Sequence, residues 1–387
     1  MVEEYADFEV TIGEGAGSKY PVRARCQFAG ELTAQATIAL PREAKIRDGL
    51  SVLEKASFSD QERATLREMG TRLLDLILVG DVGKAYYVTL GFAEGSKQRM
   101  RFRLKVDAPE LKRLPWEYMF DRFRGGFLVW RDDFVLARSL QAVATPPPDP
   151  PTRLRVLLLL SRPKDTTGLD LVTETESIQA ALKALEDRGS LELKVLDNPT
   201  STTIRETLAQ QTYHVVHYSG HAYFKPVGGL NGAAIGGAAD PSRGMLPPVR
   251  PLLPEKAYVV LPGAQGVRND MEEEAFAAFF TGFRDLRLVV LNACQTATSS
   301  GMERLSGLGD LLVAAGVPMV VAMQYPIRDL AANLFAAELY RALAARARLG
   351  AAITQARRAL YQEFRPNDRS WGTPVVYMRS DDDRLFQ

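Results

Sequence analysis

Two short runs carry the side chains suited to nucleophilic chemistry. The first is Tyr213-His214-Val215-Val216-His217-Tyr218-Ser219-Gly220-His221-Ala222, and the second is Val289-Val290-Leu291-Asn292-Ala293-Cys294-Gln295-Thr296. The β-branched and apolar residues in each predict a strand. The first strand is expected to end near Tyr218, with Gly220 permitting the turn that follows and His221 just beyond it. Cys294 is expected just past the end of its own strand. Sites in open α/β sheets form outside the carboxyl ends of strands, so His221 and Cys294 meet on one edge if their strands are neighbours. A free thiol near pH 7 is mostly protonated, and the thiolate is the nucleophile. A histidine within hydrogen-bond reach takes that proton and returns it to a leaving amine. The backbone amides of Ala222 and Cys294 are the candidates to hold the oxyanion.

Each of these residues also has a plainer reading. A cysteine in an apolar strand is usually a core thiol, although Cys294 follows Asn292 at a strand end. Cys26 has no histidine near it in sequence and is expected to be a buried structural thiol. His214 and His217 fall mid-strand on opposite faces and are expected to pack as structural residues. No carboxylate sits at ligand spacing beside His217, His221 and Cys294, so no metal site is expected.

The elements that must position the pair lie after a proline-rich boundary. Thr145-Pro146-Pro147-Pro148-Asp149-Pro150-Pro151 cannot continue a helix or a central strand and favours a stiff connector. This divides the chain into an N-terminal α+β domain at 1–145, a linker at 146–152 and a C-terminal domain at 153–387. In the C-terminal part, strands are expected at 156–160, 191–196, 214–218, 288–291, 319–323 and 375–378. Helices are expected at 172–187, 202–210, 271–282, 304–315, 329–346 and 350–364. Continuous apolar strands alternating with helices predict a three-layer α/β sandwich with a mostly parallel sheet. The N-terminal part is mixed, with strands at 8–12, 20–28, 34–39, 85–92 and 99–106 and a helix at 60–78. Residues 225–255 form a long Gly- and Pro-rich loop that contains Arg243 and Arg250.

Composition excludes several function classes. The chain has 387 residues, with Lys+Arg 48 against Asp+Glu 47, a net charge of +1. That balance gives no whole-chain footprint for nucleic acid or an anionic membrane surface. No apolar run approaches a membrane span, and the acidic start Met1-Val2-Glu3-Glu4 lacks a signal peptide's basic region. Two cysteines make no disulfide framework, so a cytoplasmic protein with reduced thiols is expected. Ser161-Arg162-Pro163-Lys164-Asp165 after the first strand lacks the glycines of a nucleotide-binding loop, and no Walker motif is present. No cofactor is implied.

Ser219-Gly220-His221 followed by Leu291-Asn292-Ala293-Cys294-Gln295-Thr296 resembles the CHAT family of caspase-like proteases, in the clan of caspases, separases and gingipains. The segments Leu312–Met323, Tyr325-Pro326-Ile327-Arg328-Asp329, Gly350–Leu360 and Ser370-Trp371-Gly372-Thr373-Pro374-Val375 resemble the family's later helices and strands, in order. Leu114-Pro115-Trp116-Glu117 resembles a segment common upstream of such domains. The likeness covers 153–380 well and 60–140 loosely. It implies a caspase-haemoglobinase fold and a cysteine endopeptidase, with His221 as general base and acid and Cys294 as nucleophile. Ala222 stands where caspases often carry Gly, and Tyr325 where this family often carries Trp. The caspase Gln-Ala-Cys-Arg-Gly signature is absent, so strict cleavage after Asp is not implied.

In the clan, the residue two before the nucleophile often lines the pocket for P1, the residue preceding the cut; here it is Asn292. Asp329, on the same edge with Tyr325 close by in sequence, is either an acidic floor for a basic P1 side chain or the N-cap of the following helix; both roles are compatible. Arg243 and Arg250 would fit a basic P1 pocket as self-cleavage points, and a plain insertion that contacts substrate or partner is the other reading. By family analogy the chain is a bacterial defence or signalling effector. Its substrate would be another protein, its N-terminal domain would regulate or dock, and an upstream protease or sensor would activate it as a zymogen. The competing reading is a catalytically idle caspase-like scaffold used for binding.

Overall fold

Three strands and three helices open the chain, and strands and helices alternate only after the proline segment, in the computed structural model, which describes residues 5–16, 19–26, 32–39, 44–139, 149–166, 168–226, 255–295, 306–364 and 367–386. Before the proline segment come β1 (Tyr5–Ile12), β2 (Lys19–Cys26), β3 (Leu32–Ala39), α1 (Ala44–Leu53), α2 (Asp60–Ile77), α3 (Gly80–Ser96), β4 (Arg99–Val106), α4 (Pro109–Lys112), β5 (Phe120–Asp121), β6 (Gly126–Phe127) and β7 (Phe134–Ser139). After it come β8 (Leu154–Leu160), α5 (Leu171–Asp187), β9 (Leu191–Asp197), α6 (Ser201–Gln210), β10 (Val215–Pro226), β11 (Glu255–Pro262), β12 (Arg268–Glu272), α7 (Glu273–Ala278) and β13 (Leu288–Gln295). The chain finishes with α8 (Ser306–Ala314), β14 (Met319–Met323), α9 (Asp329–Ala344), α10 (Leu349–Phe364) and β15 (Pro374–Met378).

All strands except β5 and β6 belong to one mixed sheet of 13 strands, in the order β12-β11-β10-β13-β14-β15-β7-β4-β1-β2-β3, with β8 and then β9 added beside β10. The sheet runs unbroken from one half to the other, because β7 pairs parallel with β15, Tyr377 opposite Arg138. Of the proline segment, residues 145–148 lie outside the described residues. Strand residues alternate between two cores. Val156 and Leu158 of β8, and Leu288 and Val290 of β13, join one; Leu157, Leu159, Val289 and Leu291 join the other. Burial on both faces is why these strands read as continuous apolar runs.

Three expectations are corrected. Residues 85–92 lie inside α3 rather than in a strand. Their aromatic and β-branched content favours a strand, but Val82, Ala85, Tyr86, Thr89, Leu90 and Ala93 recur at helical spacing and bury that face. The helix expected at 271–282 shrinks to α7, and its first residues belong to β12. The strands containing His221 and Cys294 do not stop short of them. β10 continues to Pro226 because β11 pairs with Ala222 to Pro226, and β13 continues to Gln295 beside it. Gly220 accordingly forms no turn; a Cβ there would collide with the Tyr218 hydroxyl and the Ser161 side chain, so glycine serves close packing.

Candidate active site

β10 is the strand on which the candidate site is built. Along one side it pairs parallel with β13, and the register sets His221 directly opposite Cys294. Adjacent strands lie about 4.8 Å apart, so the two backbones are immediate neighbours. On its other side β10 changes partner, pairing with β8 as far as Ser219 and with β11 from Ala222. Gly220 and His221 sit at that split. The split is closed by polar contacts, since the Tyr218 hydroxyl lies 2.9 Å from the His221 carbonyl and 2.8 Å from that of Val260. The Ser161 hydroxyl donates to the same Val260 carbonyl at 2.6 Å. His221 itself is buried. Ala222 faces Gln295 on β13 and Val259 on β11, within a ladder and not in a turn.

Beside this register point lies a narrow cleft at the carboxyl ends of the parallel strands. Asp170 and Glu174, Ser219, Asn292, and Asp329 with Asn333 give it its polar lining. Of the expected P1 residues, Asn292 and Asp329 therefore come together, and Tyr325 does not line the cleft. Tyr325 packs against Tyr118, with Arg369 stacked over its ring. Asp329 is the first residue of α9, whose cap position is Arg328; its carboxylate instead accepts from the Asp170 amide at 3.2 Å. Arg243 and Arg250 fall outside the described residues.

Glu174 is the residue that spacing arguments missed. It is buried at the base of the cleft and accepts from the Asn292 side-chain amide at 2.5 Å, from the Ser219 hydroxyl and from His217 Nε2 at 3.0 Å. The opposite ring nitrogen of His217 meets the Tyr340 hydroxyl at 3.1 Å. Burial, reinforced by the Glu174 charge, holds the Tyr340 phenol far above its ordinary range. His217 is thus packed, as expected, but as the bridge between a phenol and a carboxylate. A signal for Glu174 existed, because it falls on the buried stripe of α5 with Leu171, Ile178, Leu182 and Leu185. An acid on an apolar stripe calls for a partner. The Asn292 side-chain oxygen is buried and has no hydrogen-bond partner among the described residues, so an acceptor remains available in the cleft wall.

His214 lies just before β10 and not mid-strand as expected; its Nδ1 accepts from the Arg155 amide at 2.9 Å, and burial lowers its pKa. Cys26 is buried in β2. Among the described residues, no cluster of three His, Cys, Asp or Glu side chains could hold a metal ion. No single helix among them is long and apolar enough to cross a membrane.

The family model for the CHAT domain matches residues 66–380. Among solved structures, the fold is similar to a Saccharomyces cerevisiae separase in complex with securin, at 11% identity and TM-score 0.50, covering 97% of this chain and 30% of the separase chain. A second structure of the same complex gives 12% identity and TM-score 0.48, with the same coverages of 97% and 30%. At that identity the likeness is one of fold, and this chain spans about a third of the separase. No curated protein sequence matches.

Proposed function

The chain belongs to the CHAT domain family, and from that premise we propose that it is a cysteine endopeptidase with Cys294 as nucleophile and His221 as general base and acid. The register that sets these two residues opposite each other at the partner switch of β10 carries the reading. His221 takes the thiol proton, and the Cys294 sulfur bonds to the scissile carbonyl carbon. His221 then returns the proton to the departing amine as the C–N bond breaks, and water cleaves the thioester to regenerate the thiol.

The cleft beside the pair receives the P1 side chain, which we assign as Arg or Lys. Three carboxylates, on Asp170, Glu174 and Asp329, line it together with the unfilled acceptor on Asn292, and among the described residues no basic side chain does. A guanidinium or ammonium would convert those acceptors into charge-assisted hydrogen bonds. Cleavage of the chain itself after Arg243 or Arg250 follows from the same preference. The wider reading is a cytoplasmic bacterial effector of defence or signalling. It comprises a caspase-type three-layer sandwich at 153–387 and a regulatory region at 1–145, and an upstream protease or sensor switches it on.

Fluorogenic peptides with Arg, Leu or Asp at P1, offered to wild type, Cys294→Ala and His221→Ala, test the reading. Cleavage after Arg should fall by at least ~10³-fold in either variant. Equal rates in wild type and Cys294→Ala would overturn the dyad. A wild type that cleaves nothing and whose Cys294 resists thiol-reactive probes would favour the idle scaffold.

A further inference from the structure

The segment from Gln324 to Arg328 carries the chain from β14 to Asp329 at the cleft, and it is fastened almost residue by residue. Gln324 uses its whole side chain. One amide group supplies hydrogen bonds to Glu117 Oε2 at 2.8 Å and to the Gly372 carbonyl at 2.7 Å, while its oxygen lies 3.4 Å from Arg138 Nη2. Its backbone amide donates to the Thr373 carbonyl at 2.9 Å. The Tyr325 ring packs on Tyr118, and the Pro326 carbonyl accepts from Arg369 at 2.9 Å. Arg328 pairs with Asp368. Arg369 also donates to the Leu53 and Glu54 carbonyls at the end of α1, at 2.7 and 3.2 Å. The anchors Leu53, Glu54, Glu117 and Tyr118 all precede the proline segment.

We propose that Glu117, acting through Gln324, is a positioning residue for the cleft, and that the N-terminal half is thereby part of the substrate-recognition frame. Glu117 is buried, and Arg138 of β7 fixes its carboxylate with hydrogen bonds of 3.0 and 2.6 Å. That bidentate pair has one rigid geometry, so the oxygen offered to Gln324 is fixed relative to the sheet. Gln324 stands five positions before Asp329, and the residues between them are tied down by Arg369 and Asp368. A carboxylate that must meet a substrate cation tolerates little displacement, and misplacement by about 1 Å costs up to ~10²-fold in rate. The Leu-Pro-Trp-Glu segment then has a physical role, which is to present Glu117 on a tight turn whose Trp116 indole donates to the Leu111 carbonyl at 3.0 Å. What the cleft binds rests on the peptidase reading; the placement of Asp329 does not.

The test is Gln324→Met in the full chain, which keeps the volume and the Glu117–Arg138 pair but removes the link. By hydrogen–deuterium exchange, amides of 328–333 should exchange about tenfold faster while those of β4 and β7 stay unchanged. In the active enzyme, KM for a P1-Arg peptide should rise about tenfold with kcat held within about threefold. Unchanged exchange at 328–333, an equal rise throughout the sheet, or a fall in kcat at unchanged KM overturns the proposal. Should Gln324→Met fail to fold, Arg369→Lys, which keeps the charge but loses the planar fork, should show the same pattern. A wild type without peptidase activity would remove the function proposed above, and the exchange measurement would still decide this one.

Discussion

Glu117 and Glu174 are both buried carboxylates, one on a turn before the proline segment and one on α5 after it, and their surroundings differ in kind. Glu117 faces a cation. Burial alone would push its pKa up, but the Arg138 guanidinium more than offsets that and holds it below the ordinary carboxylate range. Arg138 is correspondingly held above its ordinary value by Glu117, against the opposing effect of burial. Glu174 faces an amide, a hydroxyl and an imidazole, and it lines a cleft. The first arrangement is closed, with charge matched by charge and no opening to fill. The second has hydrogen bonds but no arginine or lysine among the donors found for it, beside a cleft that holds two further acids. The same residue type is matched by a cation of the protein in one half and lines a cleft in the other. What separates the two is whether a cation of the protein already occupies the facing position.

The contrast can be broken by experiment, and the largest effect should come from the closed pair. Arg138→Met leaves Glu117 buried without its cation and should cost about 3–5 kcal/mol in chemical denaturation. Adding Glu117→Leu to that variant should recover only part of the loss, because the buried Arg357 guanidinium, which Glu117 also favours, then loses that acid. Glu174→Gln should cost about 1 kcal/mol, since its partners are neutral hydrogen-bond donors in at least two cases out of three. Comparable losses for Arg138→Met and Glu174→Gln would erase the distinction.

The next effect concerns selectivity. In Glu174→Gln, the preference for P1 Arg over P1 Leu should fall about 10- to 100-fold, or ~1–3 kcal/mol, read as the ratio of kcat/KM values. Glu117→Gln should lower that preference less, by at most about tenfold, because it acts only through the placement of Asp329. A retained Arg preference in Glu174→Gln would assign the P1 contact elsewhere in the cleft.

A pH-dependent effect comes from a third buried acid. Glu273, at the start of α7, has its carboxyl pushed up to about 7 by burial and by the neighbouring Glu274. Its folded pKa exceeds its unfolded value, so the folded protein binds more protons than the unfolded one between about 4.5 and 7. Stability from this group is therefore full below that window and is lost as pH rises through it. Glu273→Gln should stabilise the protein by about 1–2 kcal/mol at pH 8 and leave it unchanged at pH 4. Equal melting shifts at both pH values would show that its charge is not the cause.

Part of the candidate site is legible in the sequence. His221 and Cys294 stand out near the ends of apolar runs, Asn292 and Asp329 fall on one sheet edge, and the helix at 60–78 matches α2, whose start carries a Ser59–Glu62 capping box. Tyr325 is near the cleft only in sequence, because its ring turns toward Tyr118 of the N-terminal half. Glu174 is an acid on the apolar stripe of α5, a visible anomaly that spacing alone does not resolve. Glu117 is legible only as part of a motif.

Local spacing determined what could be determined locally: the apolar runs that become β8, β13 and β14, the stripe that buries α2, and the order of the segments that resemble one family. Tertiary structure decided the rest. β11 prolonged β10 past Gly220, the parallel register set His221 opposite Cys294, and Glu174 found partners 43, 45 and 118 residues away. The physical reason is that a strand's length and the saturation of a buried charge depend on which chain lies alongside. That neighbour is supplied by the fold, across separations that residue spacing does not encode.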